Sequence, residues 1–239
     1  RAGSTVLVKT LDTHPEIFCA GELFYFGGKI FHPESQYSFW KIPFLNKKLN
    51  YVVNYPKILL TLPGFMNQFY ANTDVAIKAK GFKLMHFQTL YTPGILSYLE
   101  KNNVKVMVLI RKNVLRNTLS DLRARETGVY HKEQAKNGHI PKFKVNIERL
   151  SKKMKEIENF NNQLLAATEN MNCKIVHHED PRNWDAYISD MLQFLEVTDI
   201  KLPAATEKLN PDKLEDMIEN YDELYAWLQQ SGIAQYADE

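Results

Sequence analysis

Scarce cysteine, no long apolar run and little net charge narrow this 239-residue chain before any motif is read. Cys19 and Cys173 are its two cysteines, too few for a disulfide framework or a cysteine-based metal cluster. The apolar runs all fall well short of the roughly 20 residues that cross a bilayer. The formal net charge is +2 with no long basic stretch, which does not favour a nucleic-acid groove or a strongly polyanionic partner. No Asn-x-Ser/Thr sequon occurs, which leans away from a glycosylated, secreted protein. The loops G-x-x-x-x-G-K-[ST], G-x-G-x-x-G and G-x-S-x-G are all missing, so neither a standard triphosphate loop, a dinucleotide fingerprint nor a hydrolase elbow is written here. His177-His178-Glu179-Asp180 hints at a metal, but neighbouring side chains on a strand point to opposite faces, and the spacing fits no zinc pattern.

What is present suits an α/β protein. With 44% hydrophobic residues, the chain can bury a substantial core, as one large domain or two small ones. A single domain over 1–239 is the economical description, with residues 23–75 as an aromatic-rich insertion: an acceptor pocket or lid, or simply a second small core. A helix is expected from Ser4 to Thr13, closed by His14-Pro15, and a strand at Ile17-Phe18-Cys19 that ends in Gly21-Glu22. Ile58 to Tyr70 reads as a helix broken at Pro63-Gly64. Gly81 to Met85 resembles a strand, and Thr92-Pro93 a helix start. Val104 to Ile110 is an apolar, β-branched run, as in a buried parallel strand, and a helix from Val114 to about Arg125 follows. Helices are further expected over Asn146 to Met171 and Trp184 to Leu195, a strand over Lys174 to His177, and a last helix opened by Asn210-Pro211-Asp212. Gly128 to Pro141 is polar loop. The alternation of strand and helix argues for a central parallel sheet flanked by helices.

Ligands of such sheets sit beyond the carboxyl ends of the strands, and three strand ends carry chemistry. Arg1-Ala2-Gly3-Ser4-Thr5 has a flexible glycine, hydroxyls and a helix start, the makings of an anion loop; an ordinary helix cap reads the same way. An anion loop of this kind follows a strand, so an upstream segment, with any signal or anchor it carries, is expected before Arg1. Glu22 ends the second strand. Arg111 ends the strand at 104–110, and Ser120, nine positions on, lies on the next helix. Together the two can hold a phosphate, since a guanidinium grips such a group bidentately; a salt bridge and a helix-surface serine are the plainer readings.

The order of these stretches resembles the sulfotransferases that use 3′-phosphoadenosine 5′-phosphosulfate (PAPS). Arg1 to Thr5 is similar to their R/K-S-G-T-T loop for the 5′-phosphosulfate, with Ala2 and Ser4 as departures. Leu11-Asp12-Thr13-His14-Pro15-Glu16-Ile17 and Gly21-Glu22 resemble bacterial carbohydrate (nodulation-type) and tyrosylprotein members. Ile110 to Arg116, through Ser120, resembles the 3′-phosphate motif, and Gly81-Phe82-Lys83-Leu84 and Ile218 to Leu224 are similar to bacterial members. The resemblance implies a P-loop-like sulfotransferase fold. It also implies PAPS as co-substrate, 3′-phosphoadenosine 5′-phosphate (PAP) as product, no metal, and a hydroxyl on a glycan, lipid or other small molecule as acceptor.

By the same resemblance, Arg1 stabilises the leaving phosphate and Gly3, Ser4 and Thr5 cradle the 5′ end. Lys83 matches a second catalytic lysine, and Glu22 is the favoured base with His86 as its competitor. His178 stands where many members carry an adenine-contacting Tyr. The R-K-G loop of cytosolic members is absent, and Lys208 is its nearest basic substitute. No nucleic acid and no membrane segment enter this reading. A cytoplasmic location is expected, with the Golgi lumen as the alternative if an anchor precedes Arg1. Two other functions stay open: a catalytically silent nucleotide-binding module on the same fold, and a P-loop-type kinase.

Overall fold

A computed structural model describes residues 3–24, 48–71, 74–129, 141–178, 183–205, 211 and 213–238. The first helix, α1 (Ser4–Leu11), is followed by β1 (Ile17–Glu22). It ends two residues before the expected Thr13, because the Thr13 and His14 amides tighten onto the Thr10 and Leu11 carbonyls at 3.1 Å, three residues back, and the Thr13 hydroxyl joins the Thr10 carbonyl at 2.7 Å. His14 is more than a helix end. It is 2% exposed, its Nε2 lies 2.8 Å from the Thr198 carbonyl, and its Nδ1 accepts from the Glu16 amide at 3.0 Å. The turn after α1 is thereby tied to a segment 184 residues away.

Helix α2 (Lys48–Ala71) runs without a break through Pro56 and Pro63, correcting the expected interruption at Pro63-Gly64. The reason lies on its inner face. Ile58, Leu62, Phe65, Met66 and Phe69 are buried at helical spacing, and each stabilises by roughly 1.5–3 kcal/mol. Pro63 and Gly64 sit on the exposed side. This face packs with Phe24 and with Ile95, Tyr98 and Leu99 of α4 (Ile95–Lys101), where the Tyr98 hydroxyl donates to Asn67 at 2.7 Å. The cap of α4 is Gly94, at φ 83°, rather than Thr92. Thr92 and Pro93 are buried in the turn that leads in from α3 (His86–Tyr91).

Strand β2 (Ala79–Lys83) pairs in parallel with β1, and β3 (Val106–Ile110) pairs in parallel with β4 (Cys173–His177). The parallel α/β class is as expected, and among the described residues the sheet is divided into these two pairs. Leu7 and Leu11 of α1, Ile17 of β1, Val176 of β4 and Ile188, Met191 and Leu192 of α7 (Trp184–Leu195) form a core that both pairs share. A third cluster joins α5 (Val114–Thr127), α6 (Ile147–Thr168) and α8 (Tyr221–Gln230). The helix expected from the Asn210-Pro211-Asp212 signal thus begins only at Tyr221, after a 3-10 turn at Leu214–Asp216. Asn210 and Asp212 themselves lie outside the described residues, as do 130–140 of the polar loop. A short helix α9 (Gln235–Asp238) closes the chain against α5, where the Asn113 and Arg116 side chains donate to the Tyr236 and Ala237 carbonyls at 2.8 and 2.9 Å.

Candidate functional site

The ends of β1 and β2 form the base of the site. Pairing runs Ile17↔Ala79, Phe18↔Lys80 and Cys19↔Gly81, then slips so that Glu22 pairs with Lys83. Three steps on β1 match two on β2. The extra residue is a bulge, and Gly21 takes the left-handed φ of 61° that such a bend needs. A one-residue slip reverses which face a side chain meets, so this bulge is what puts the Glu22 carboxylate beside the Lys83 ammonium. Lys83 Nζ lies 2.8 Å from Glu22 Oε1, with both side chains mostly covered.

The other carboxylate oxygen is held as well. Gln88 Nε2 donates to Glu22 Oε2 at 3.1 Å, and Gln88 is fully buried. Its own carbonyl accepts the Met85 amide at 2.8 Å. The sequence reading did not single out Gln88. The signal for it was local, a glutamine three residues after the Met85 cap of a short helix, but its partner lies 66 residues back. His86, the competing base, is the first residue of α3, half-buried, with its ring 5.1 Å from that of Phe160.

Across the cleft, Gly3 caps α1 at φ 75°, with no side chain capping the helix. The first helical bond returns from Leu7 N to the Gly3 carbonyl, so the amides of Ser4, Thr5 and Val6 form the open turn that favours an anion. The α1 start is crowded on one side: a Cβ on Gly3 would stand 2.5 Å from His178 Nδ1. His178 is placed there because its amide donates to Ile110 O at 2.9 Å, extending the β3–β4 ladder one residue past the strands. The same ladder end carries Arg111.

Asn113 then caps α5 by accepting from Arg116 N at 2.8 Å. Helical spacing brings Arg116, Asn117, Ser120 and Asp121 to the cleft side of α5, while Leu115, Leu119 and Leu122 face the core. Gly3, Ser4, Thr5, Glu22, Lys83, His86, Arg111, Ser120 and His178 therefore all line one open cleft of about 2060 Å³. That is larger than the roughly 300–1,000 Å³ of a pocket for one small molecule, which leaves room for two reactants side by side. Arg1, Ala2 and Lys208 lie outside the described residues.

Cys19 also lines the cleft. Burial pushes its thiol up to about 11, against a smaller lowering by the Gly21 backbone, so it is protonated at neutral pH and is a poor nucleophile. Among the described residues no cluster of three His, Cys, Asp or Glu side chains is arranged to hold a metal ion, and no helix is long and apolar enough to cross a membrane.

No family model and no curated protein matches the chain. Among solved structures, a sulfotransferase from Alicyclobacillus acidocaldarius is similar at 14% identity with a TM-score of 0.49, over 99% of this chain and 91% of that one.

Proposed function

We propose that this protein is a sulfotransferase that moves a sulfuryl group from PAPS to a hydroxyl of a carbohydrate, lipid or other small molecule. One observation carries the reading. The stretches that resemble the two phosphate motifs of that family are about a hundred residues apart in sequence, yet their described members share a cleft with a paired carboxylate and ammonium. A glycine-capped helix start suits the 5′ end of the donor, and Arg111 with Ser120 suits its 3′-phosphate.

The chemistry is an in-line displacement with charge gathering on the leaving oxygen, as in phosphoryl transfer. Glu22 takes the proton of the acceptor hydroxyl while that oxygen bonds to sulfur. The sulfur–oxygen bond to the donor phosphate breaks, and its electron pair stays on the PAP phosphate. Lys83, and Arg1 by the family resemblance, supply positive charge where that pair settles. Lys83 is 2.8 Å from Glu22 before any substrate enters, so it keeps the carboxylate company until the donor competes for it.

Calorimetric titration with PAP and with magnesium-ATP, followed by transfer of radiolabelled sulfate from PAPS to a panel of saccharide and phenolic hydroxyls, tests the reading. Tight PAP binding is expected, and Glu22→Gln is expected to slow transfer by about 10²–10⁴-fold. A preference for magnesium-ATP would establish the kinase reading instead. Loss of transfer in His86→Ala, with Glu22→Gln unimpaired, would move the base to His86.

A further inference from the structure

We infer that Gln88 is a positioning residue for Glu22, an inference that rests on the role proposed above for that carboxylate. The geometry fixes the orientation of the amide. Its carbonyl oxygen is taken by the Met85 amide at 2.8 Å, so its NH₂ group must face Glu22 Oε2, 3.1 Å away. A flipped amide would set oxygen against carboxylate and NH₂ against N–H, two repulsive contacts in place of two bonds. Gln88 is fully buried, where an unmade hydrogen bond is costly, so both bonds are held together.

The two oxygens of Glu22 are thus anchored from two different elements. Lys83 holds Oε1 from the end of β2, and Gln88 holds Oε2 from the first turn of α3. One anchor leaves a carboxylate free to turn about its last torsion, whereas two fix its plane. Each oxygen still has a lone pair to spare for a substrate proton. The amide adds no charge. It therefore goes on holding Glu22 when Lys83 turns to the charge on the leaving group, the moment at which a carboxylate tethered only to Lys83 would be released.

The test uses the whole chain and three readouts: rate of sulfuryl transfer from PAPS to 4-nitrophenol or to water, PAP affinity, and thermal midpoint. Gln88→Met removes both bonds at similar size. Gln88→Glu keeps an oxygen for Met85 N but sets a second carboxylate against Glu22. Both are expected to lower kcat by about tenfold or more, since small misplacement of a reacting group is costly, with PAP affinity within about twofold of the parent chain. In a Glu22→Gln background, neither is expected to slow transfer further, because a residue that acts through Glu22 has nothing left to position. Wild-type kcat in both Gln88 variants alongside an impaired Glu22→Gln, or losses that add in the double variants as a merely structural role would give, would overturn the inference alone. An unimpaired Glu22→Gln, or a parent chain that binds PAP and transfers sulfate to none of the saccharide and phenolic hydroxyls above, would instead overturn the reading beneath it.

Discussion

Glu16 shows how single contacts hold the parts of the cleft in place. Its carboxylate meets Lys78 at 2.5 Å and accepts from the Thr198 amide and hydroxyl at 2.7 and 3.0 Å. The Lys78 contact first, and then the Thr198 amide, pull its pKa from 4.5 down to about 2. A carboxyl lowered on folding stabilises the folded chain above its unfolded pKa, and that stability is lost as pH falls through the folded value. Glu16→Gln should therefore lower the melting temperature at pH 7, and the gap to the parent should close between about pH 4.5 and pH 2. Melting curves recorded across that window check it, and a gap that persisted at pH 2 would mean the charge is not what matters. Gly3 is held by a different constraint. At φ 75° any L side chain is strained by about 1–2 kcal/mol, and a Cβ there would meet the His178 ring. Gly3→Ala should weaken PAP binding by about tenfold or more. Adding His178→Gly should recover only part of it, because that change relieves the clash and leaves the backbone strain.

At the scale of elements, α2 is the clearest case of packing overriding local preference. Proline in a helix interior forfeits a hydrogen bond and costs about 3 kcal/mol, yet the buried face from Ile58 to Phe69 keeps the helix whole through Pro63. Pro63→Ala should restore the bond on the exposed side. It is expected to raise stability by about 1–3 kcal/mol in denaturant titration while leaving sulfate transfer as it was, since Pro63 faces away from the core. The same override explains where the sequence could be read and where it could not. Trp184–Leu195 was legible to the residue because an amphipathic stripe and its cap agree. Strands β1, β3 and β4 were legible from their apolar runs, whereas β2, with two lysines and a glycine in five residues, lies two residues before the expected Gly81–Met85. Helix α3 was not, since six residues carry too little periodicity, and the Thr92-Pro93 signal was drawn into a buried turn while Gly94 became the cap. Glu22 and Arg111 could be singled out because each sits at or just past a strand end, Ser120 because it follows on the next helix, and Lys83 through the family resemblance. Gln88 was missed because its meaning depends on the bulge at Gly21, a tertiary fact with no local pattern.

Taken whole, the molecule holds the cleft between two parallel strand pairs joined through the α1 and α7 core and through the tethers at His14 and Thr10. A ligand that touched the α1 start on one side and Arg111 with Ser120 on the other would bridge elements that lie about a hundred residues apart in the chain. Its binding energy should therefore appear as stability of the entire fold. At a PAP concentration of 100 times its Kd the gain is about 2.7 kcal/mol, which for a chain of this length is a rise in melting temperature of about 5–10 °C. Arg111→Ala should remove most of that rise. A loss confined to the ligand-bound curve would place Arg111 on the 3′-phosphate, whereas a drop of similar size in the free protein would mean that its role is structural. Magnesium-ATP at the same concentration should give a smaller rise than PAP, because no G-x-x-x-x-G-K-[ST] loop is present to grip a triphosphate. A larger rise with magnesium-ATP would reassign the cleft to phosphoryl transfer.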